Sequence, residues 1–553
     1  MAKDHTEAST SSTSAPHREQ WTGQFGFIMA AVGSAIGLGN IWRFPGVAFT
    51  NGGGAFMIPY IVALLTAGIP MLLLDYAIGQ RYQGSAPAVF RRIRASFEFI
   101  GWAKVLVSFV ITAYYAVILA WALRYVFFSV NLAWGKDPTG FFVKDFLHLS
   151  DPGAPTSVVP GIFWPLIAIW AVVAIIMAMG VAGGIERANK FFIPVLVVIF
   201  VALVVRALTL PGAAEGLNAL FTPNWAALAN PQVWLAAYTQ IFFSLSVGFG
   251  IMLTYASYLK RKSNITPTAL VTGFANSSFE VLAGIGVFAT LGFMAHQQGV
   301  GVDKLEGLTG VGLSFMTFPN IISQMPGGPL FGVIFFVSLV VAGLTSILSL
   351  TQVISAAIQE KFNVGRRTAS LLVVLLDGLI SVSVFSTTGG LNALDVVDKY
   401  INEIGIVTCA ILTCVLLAYV LRRLPLLRTH LNFNSRLKLG TWWDAAIYVV
   451  IPIVLGVVMV LTLYSLLVDG YGGYPESFLY QYGWTLIFAV AIGSFVLASI
   501  PWRTPVDDFD PVAYHGLEAS GGIVDTPQGA HGKYTAENFR NGSITNFNPA
   551  KEM

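Results

Sequence analysis

The sequence predicts an all-α integral membrane protein with about twelve transmembrane helices. Of its 553 residues, 55% are hydrophobic and 11% are charged, whereas soluble domains carry roughly 25% charged residues. The mean hydropathy is +0.71. Apolar stretches of around 20 residues, enough to cross about 30 Å of hydrocarbon, follow one another along the chain. The three or four soluble domains that this length would otherwise allow are therefore excluded.

The predicted spans begin after a short polar segment. Residues 1–20 contain a run of serine and threonine and lack the apolar core of a signal peptide, so we expect a flexible cytoplasmic tail. Residues 298–328 are apolar but interrupted by proline and glycine, which favours an external re-entrant or lid-like loop. Residues 502–553 are polar and are expected to form a cytoplasmic tail. The predicted spans are 23–49, 55–80, 101–133, 159–180, 188–210, 232–259, 267–297, 329–360, 367–387, 391–421, 443–468 and 478–501.

Loop charges orient these spans. Alternate loops carry clusters of basic residues, for example three arginines within residues 91–94, whereas the loops between them offer little beyond Lys136, Lys144 and Lys304. Because cytoplasmic loops hold the excess of lysine and arginine, both termini are predicted to be cytoplasmic. We expect a multi-pass protein of the plasma (inner) membrane.

Composition also excludes several functions. A net charge of +3 without a basic stripe argues against nucleic-acid binding. Cys409 and Cys414 lie five residues apart in one apolar segment, where a helix points them to different sides, and the histidines show no metal-ligand spacing. The sequence contains no paired catalytic carboxylates, nucleophile elbow or phosphate loop, so we expect no catalytic residues and no enzyme activity.

Two predicted spans are interrupted by glycine. Residues 33–40 (GSAIGLGN) in the first span and 244–250 (SLSVGFG) in the sixth predict unwinding, because glycine costs a helix interior roughly 1 kcal/mol against alanine. Taken singly, such clusters fit tight helix packing equally well. However, spans one and six open two sets of five spans, and a matched pair of interrupted spans is typical of an inverted-repeat transporter with its site at the midplane. The repeats would be 21–210 and 232–421, followed by two further helices in 443–501.

Several long motifs carry a family resemblance. Residues 21–43, 51–56 (NGGGAF) and 59–60 closely resemble the opening of the neurotransmitter:sodium symporter family, especially its bacterial leucine-transporter-like members. Residues 240–250 (QIFFSLSVGFG), 254–258 and 342–346 match in order and spacing. The resemblance covers roughly residues 18–500. It implies the leucine-transporter fold, a 5+5 inverted repeat with unwound helices 1 and 6, and sodium-coupled symport of amino acids by alternating access.

The resemblance implies two sodium sites and a substrate pocket. All the sodium ligands are hard oxygens, which suit a small cation by analogy with other hard cations; for Thr345 and Ser346 alone, bonding back to their own helix is the alternative. Ser244 stands where the type member has threonine, and Tyr115 would bond the substrate carboxylate. The first sodium site takes Ala35, Asn40, Ser244 and Asn276; the second takes Gly33, Ile36, Ala342, Thr345 and Ser346. The pocket takes Ala35, Gly39, Ile111, Tyr115, Phe243, Ser244, Ser246, Phe249, Ser346 and Leu350.

The same resemblance assigns the intramembrane charges. Arg43 and Asp398 match an outer gate pair, and Arg18 and Glu360 an inner pair in which glutamate replaces the usual aspartate. Glu280 lies one helical turn after Asn276, where chloride-dependent relatives have a small neutral residue. We therefore predict chloride-independent transport, with Glu280 as the counter-charge and proton movement through it left open. Asp75 and Asp395 receive no role.

The predicted substrate is a neutral, mostly apolar α-amino acid such as alanine, methionine, leucine or valine, because no charge faces the implied pocket. The expected partners are this substrate, sodium and the lipid bilayer. A homodimer or a small accessory subunit remains open. The alternative function is a non-transporting amino-acid receptor or regulatory membrane protein on the same fold.

Overall fold

The computed structural model describes residues 19–260, 263–305, 310–433, 435–504 and 506. These residues form helices joined by loops, with two isolated β-bridges. Ten helices are long and apolar enough to cross a membrane, and a bent pair near the N-terminus makes eleven. The predicted sixth span consists of two helices of 14 and 6 residues. The all-α membrane prediction is confirmed.

The helices follow the predicted spans to within a few residues at most ends, and we number the spans in chain order. The spans are Gln24–Ala35 with Leu38–Thr50 (span 1), Gly54–Tyr82 (span 2), Ala95–Asn131 (span 3), Pro160–Ala178 (span 4), Val181–Leu208 (span 5), Pro231–Ser244 with Ile251–Ala256 (span 6), Thr266–Gln298 (span 7), Gly328–Phe362 (span 8), Arg366–Phe385 (span 9), Gly390–Val420 (span 10), Thr441–Val468 (span 11) and Glu476–Ser499 (span 12).

Spans 1 and 6 are both broken, as predicted. The two helices of span 1 meet at 50° across Ile36 and Gly37. In span 6 the chain is unwound between the two helices, where Gly248 and Gly250 have φ of 93° and 99°. Glycine reaches these left-handed values without steric cost. Ser246 also has a positive φ, 53°, which is uncommon for a residue with a side chain.

Burial separates central spans from peripheral ones. In the most apolar window of spans 3 and 7, 78% of the residues are buried, whereas in span 12 only 11% are. The peripheral spans turn large apolar side chains such as Val198 and Leu467 outward. A lipid-facing surface accepts these side chains, so the central spans are left to build the site.

The segment predicted as an external loop is partly helical. Phe318–Gln324 is a helix, and Pro319 lies in its first turn, where proline is tolerated. Just before it, the buried Phe315 ring stacks on Phe142 with centroids 5.4 Å apart. The described part of this segment is therefore helical and packed, and its external, lid-like role stays a prediction; residues 306–309 lie outside the described residues.

The predicted tails are described only at their inner ends. Trp502, the first residue of the predicted C-terminal tail, donates its indole N–H to Glu98 at 3.0 Å. Glu98 also accepts the Lys361 ammonium at 2.7 Å. The chain directly after span 12 is therefore anchored at the start of span 3. Residues 1–18 and 507–553 lie outside the described residues.

Gly79 tests the close packing between span 2 and the second helix of span 6. A Cβ atom at Gly79 would overlap the Leu253 carbonyl, whereas one at Gly456 in span 11 would meet no atom within 4 Å. We expect Gly79→Ala to lower the thermal unfolding midpoint in detergent by several degrees, because overpacking costs about 1–3 kcal/mol. Gly456→Ala is the matched control and should keep or slightly raise the midpoint. Equal midpoints would contradict this packing.

Candidate functional site

A cavity of about 550 Å³ lies among spans 1, 3, 6, 8 and 10. Every residue predicted to contact substrate lines it, including Gly39, Ile111, Phe249 and Leu350. Arg43 and Asp398, the predicted outer gate, line the same cavity. The structure therefore brings the predicted pocket and the predicted outer gate into one continuous space.

The break in span 1 forms one wall of this cavity. A Cβ atom at Gly37 would lie 2.7 Å from Ser346 Oγ and 3.1 Å from Tyr115 Oη, so these residues meet at the break. The Leu38 N–H donates to the Tyr115 hydroxyl at 3.2 Å. Since Leu38 opens the second helix of span 1, that helix directs its N-terminal end toward the cavity.

The side chains predicted for the first sodium site form a connected chain. The Asn40 amide donates to Asn276 Oδ1 at 2.8 Å, and the Asn276 amide donates to Ser244 Oγ at 2.5 Å. Asn40 Oδ1 accepts the Gly37 N–H at 2.9 Å. These buried groups belong to spans 1, 6 and 7. The structure thus connects three residues that are far apart in sequence and whose oxygens are predicted to bind sodium.

The residues of the second predicted sodium site are less closely joined. The Thr345 hydroxyl donates to the Ala342 carbonyl at 2.8 Å and the Ser346 hydroxyl to the same carbonyl at 3.4 Å. These are the helix back-bonds that the sequence left as an alternative. The approach of Ser346 to Gly37 nevertheless brings span 8 to the span 1 break, beside Ile36. On another side, Gly33 packs tightly against Asn189 of span 5.

Glu280 is fully buried one turn from Asn276. Its carboxylate accepts the Gln240 amide at 2.7 Å and a short hydrogen bond from the Tyr60 hydroxyl. Tyr60 Oη also lies 2.9 Å from Ser277 Oγ. The donors described around this carboxylate are neutral, and they connect it to spans 2 and 6 beside the predicted first sodium site.

The predicted outer gate pair is separated in this structure. The Arg43 guanidinium lies over the Phe243 ring, 4.3 Å from its centroid. Asp398 instead accepts the Tyr114 hydroxyl at 2.6 Å and the Asn402 amide at 2.7 Å. Among the described residues, Arg43 and Asp398 form no ion pair within 4.0 Å. Both side chains line the cavity without closing on each other.

The predicted inner gate is described on one side only. Arg18 lies outside the described residues. Glu360 Oε2 accepts the Ser85 N–H at 2.8 Å. Nearby, Trp21 donates its indole N–H to the Tyr255 carbonyl at 2.8 Å. The Glu360 contact joins span 8 to the segment after span 2, and the Trp21 contact joins the residues before span 1 to the second helix of span 6.

Two acids without a predicted role have clear partners. Asp75 Oδ2 accepts the Gly248 N–H at 3.1 Å in the unwound part of span 6. Asp395 accepts the hydroxyls of Tyr471 and Tyr474 at 2.9 and 3.0 Å. Burial, aided by Asp395, raises the pKa of both phenols above the ordinary tyrosine value, so both remain neutral donors. Asp395 thereby fixes the loop after span 11 at the cavity mouth.

Lys104 is a buried charge that the sequence analysis missed. It lies in span 3 and donates from its ammonium to the Gly248 carbonyl. Ser108, one turn further on, donates to the Phe249 carbonyl at 2.9 Å. The signal that could have found it is its position inside the predicted span 101–133, because intramembrane charges are costly and usually functional.

Comparison with known proteins identifies the family. Residues 18–138 and 135–504 match the family model described as the sodium:neurotransmitter symporter family. The chain belongs to this family. As a sodium:neurotransmitter symporter it is a sodium-dependent secondary transporter and not an enzyme.

Individual relatives of this symporter agree with that placement. It is 43% identical over 463 residues to an uncharacterized sodium-dependent transporter of Methanocaldococcus jannaschii, covering 83% of this chain and 94% of the relative. It is 31% identical to a sodium-dependent dopamine transporter of Caenorhabditis elegans, covering 73% and 74% of the two chains. It is also 31% identical to the sodium- and chloride-dependent GABA transporter 2 of Rattus norvegicus, covering 69% of each.

The symporter also resembles a solved structure. A crystal structure of MhsT in complex with L-phenylalanine matches it with a TM-score of 0.67 and 30% sequence identity. The match covers 80% of this chain and 99% of MhsT. Together with the broken spans 1 and 6, it confirms the predicted leucine-transporter fold.

Asn276 is the central link of the proposed first sodium site. Asn276→Ala removes an oxygen that Asn40 contacts and an amide that contacts Ser244. We expect the sodium concentration for half-maximal uptake to rise about tenfold, the effect of losing roughly 1.4 kcal/mol. Thr290→Val on the same helix is the control, because within the described part of the chain the Thr290 hydroxyl bonds only to the Gly286 carbonyl of its own helix. An unchanged sodium dependence of Asn276→Ala would argue against this site.

Proposed function

We propose that this symporter imports neutral, mostly apolar α-amino acids together with two sodium ions, by alternating access and without chloride. It does so in the plasma membrane with both termini in the cytoplasm. The observation that carries the proposal is the lining of the cavity. Ile111, Phe243, Phe249 and Leu350 supply an apolar wall, and the break in span 1 forms a polar end with main-chain and hydroxyl groups.

The polar end suits the carboxylate of an amino acid. The second helix of span 1 begins at Leu38 beside the Tyr115 hydroxyl. A helix N-terminus carries a partial positive charge and free N–H donors, which favour an anion. The Asn40, Asn276 and Ser244 chain starts next to it and would hold a sodium ion that also contacts the carboxylate. In support, the related MhsT was crystallised with L-phenylalanine.

The apolar wall sets the class of side chain. The charged residues lining the cavity belong to spans 1 and 10; of these, Arg43 stacks on Phe243 and Asp398 bonds Tyr114. Ile111, Phe249 and Leu350 offer no partner for a substrate charge. Burying an unpaired polar or charged group costs several kcal/mol, so lysine and glutamate should be poor substrates.

The energetics support concentrative uptake. One charge crossing a potential of 100 mV releases about 2.3 kcal/mol, so two sodium ions release about 4.6 kcal/mol. Since a tenfold concentration ratio costs about 1.4 kcal/mol, the potential alone supports accumulation of a neutral substrate by about three orders of magnitude.

The proposed cycle uses the two gates in turn. Sodium and substrate enter between Arg43 and Asp398, which then approach each other; the contact of Arg18 with Glu360 opens afterwards. Each repeat, 21–210 and 232–421, would contribute two moving spans. Spans 1, 2, 6 and 7 would rock about the two breaks against the remaining spans.

A substrate panel tests the proposed class. In proteoliposomes with an inward sodium gradient, labelled L-leucine or L-alanine should accumulate, and uptake should fall to background when sodium is replaced by choline. Unlabelled methionine and valine should compete, and lysine and glutamate should compete weakly. Stronger competition by lysine or glutamate would refute the neutral substrate class. Sodium-dependent binding without accumulation would indicate a receptor instead.

Glu280 tests the independence from chloride. Wild-type uptake should be equal in chloride and gluconate. Glu280→Ser removes the carboxylate and leaves space beside Tyr60 and Gln240; its uptake should fall about tenfold in gluconate and recover in chloride. Glu280→Gln is the matched control, because it removes the charge but fills the space, so chloride should not restore its uptake. Chloride-insensitive uptake by Glu280→Ser would contradict the counter-charge role.

A further inference from the structure

The unwound part of span 6 is held by two charges at a single residue. The Gly248 N–H donates to Asp75 Oδ2 at 3.1 Å, and the Gly248 carbonyl accepts the Lys104 ammonium. Asp75 belongs to span 2 and Lys104 to span 3, and both side chains are fully buried. Both main-chain polar groups of Gly248 are thus bonded to charged groups from different helices.

One face of span 3 carries both this contact and part of the substrate cavity. Lys104, Ser108, Ile111 and Tyr115 recur every three or four residues, which places them on one side of a helix. Ser108 donates to the Phe249 carbonyl at 2.9 Å, whereas Ile111 and Tyr115 line the cavity. The face therefore bonds two successive carbonyls of the unwound segment and continues into the pocket wall.

The two charged side chains meet at Gly248 and not in a direct ion pair. Among the described residues, Lys104 and Asp75 form no direct ion pair within 4.0 Å, and Asp75 Oδ1 has no hydrogen-bond partner. A buried charge without a partner is costly in a membrane. A displacement of Gly248 would break its bonds to both charges, so the arrangement favours one position of the segment.

The unwound segment itself supplies the pocket. Ser246 and Phe249 line the cavity on either side of Gly248. The Ser246 hydroxyl also donates to the Ser34 carbonyl at 3.1 Å, across to span 1. The position of Gly248 therefore decides where two substrate-facing residues lie.

We propose that Lys104 is a positioning residue for substrate recognition. Its ammonium holds the Gly248 carbonyl while Asp75 holds the Gly248 amide, and together they keep Ser246 and Phe249 in the pocket wall. This inference rests on the proposed amino-acid site. Ser244 and Asn276 lie on regular helices outside the unwound segment, so losing Lys104 should weaken substrate binding more than sodium binding.

The test uses the full-length protein in detergent with labelled L-leucine as probe and L-alanine as a second probe. The double variant Lys104→Met/Asp75→Asn keeps both side chains near their size and leaves no uncompensated charge. We expect its leucine dissociation constant to rise about tenfold, with sodium half-saturation changing less than about twofold. Thr112→Val is the control, because the one bond of the Thr112 hydroxyl among the described residues is to the Ser108 carbonyl of its own helix.

Two smaller changes decide the question if the double variant does not fold. Ser108→Ala removes one neutral hydrogen bond to the segment and should weaken leucine binding about threefold. Lys104→Arg keeps the charge and the donor and should remain closer to wild type than Lys104→Met. Leucine binding unchanged in the folded double variant, or in Ser108→Ala, would overturn the inference.

The outcome also separates this inference from the proposed function. A wild-type protein that binds neither probe in sodium would overturn both. Wild-type binding together with wild-type affinity in the double variant would overturn the role of Lys104 alone.

Discussion

Main-chain groups released by the two helix breaks must be bonded inside the protein, because hydrocarbon offers them no partner. At the span 1 break, Asn40 and Tyr115 accept N–H groups. At the span 6 break, Asp75 accepts the Gly248 N–H, while Lys104 and Ser108 donate to the carbonyls of Gly248 and Phe249. The site lies where these hydrogen-bond partners come together. Its geometry therefore depends on which side chains bond the main-chain groups freed at the two breaks.

The intramembrane acids are held mainly by neutral donors. Glu280 is bonded by Tyr60 and Gln240, and Asp398 by Tyr114 and Asn402. Hydrogen bonds from neutral groups stabilise a carboxylate without cancelling its charge. The proposed counter-charge role of Glu280 and the proposed gate role of Asp398 both require an ionised carboxylate, a form that hydrogen-bond donors of this kind favour.

Much of the architecture could be predicted, and the predictions that were missing concerned contacts between segments far apart in sequence. Hydropathy located the spans, glycine clusters located both breaks, and family motifs named substrate-pocket residues that all line one cavity. By contrast, Lys104 was missed, and Asp75 and Asp395 were noticed without a role. The separation of Arg43 from Asp398 was not foreseen, because Phe243, Tyr114 and Asn402 compete for them.

The sequence by itself determined the membrane class, the order of the spans and the places where helices 1 and 6 unwind, because these depend on local composition and on the helix propensity of a few adjacent residues. Only the tertiary structure decided which groups satisfy the breaks. Lys104 and Gly248 are 144 residues apart, and Ser246 and Ser34 are 212 apart. Contacts over such distances depend on how the helices pack, which no local pattern encodes.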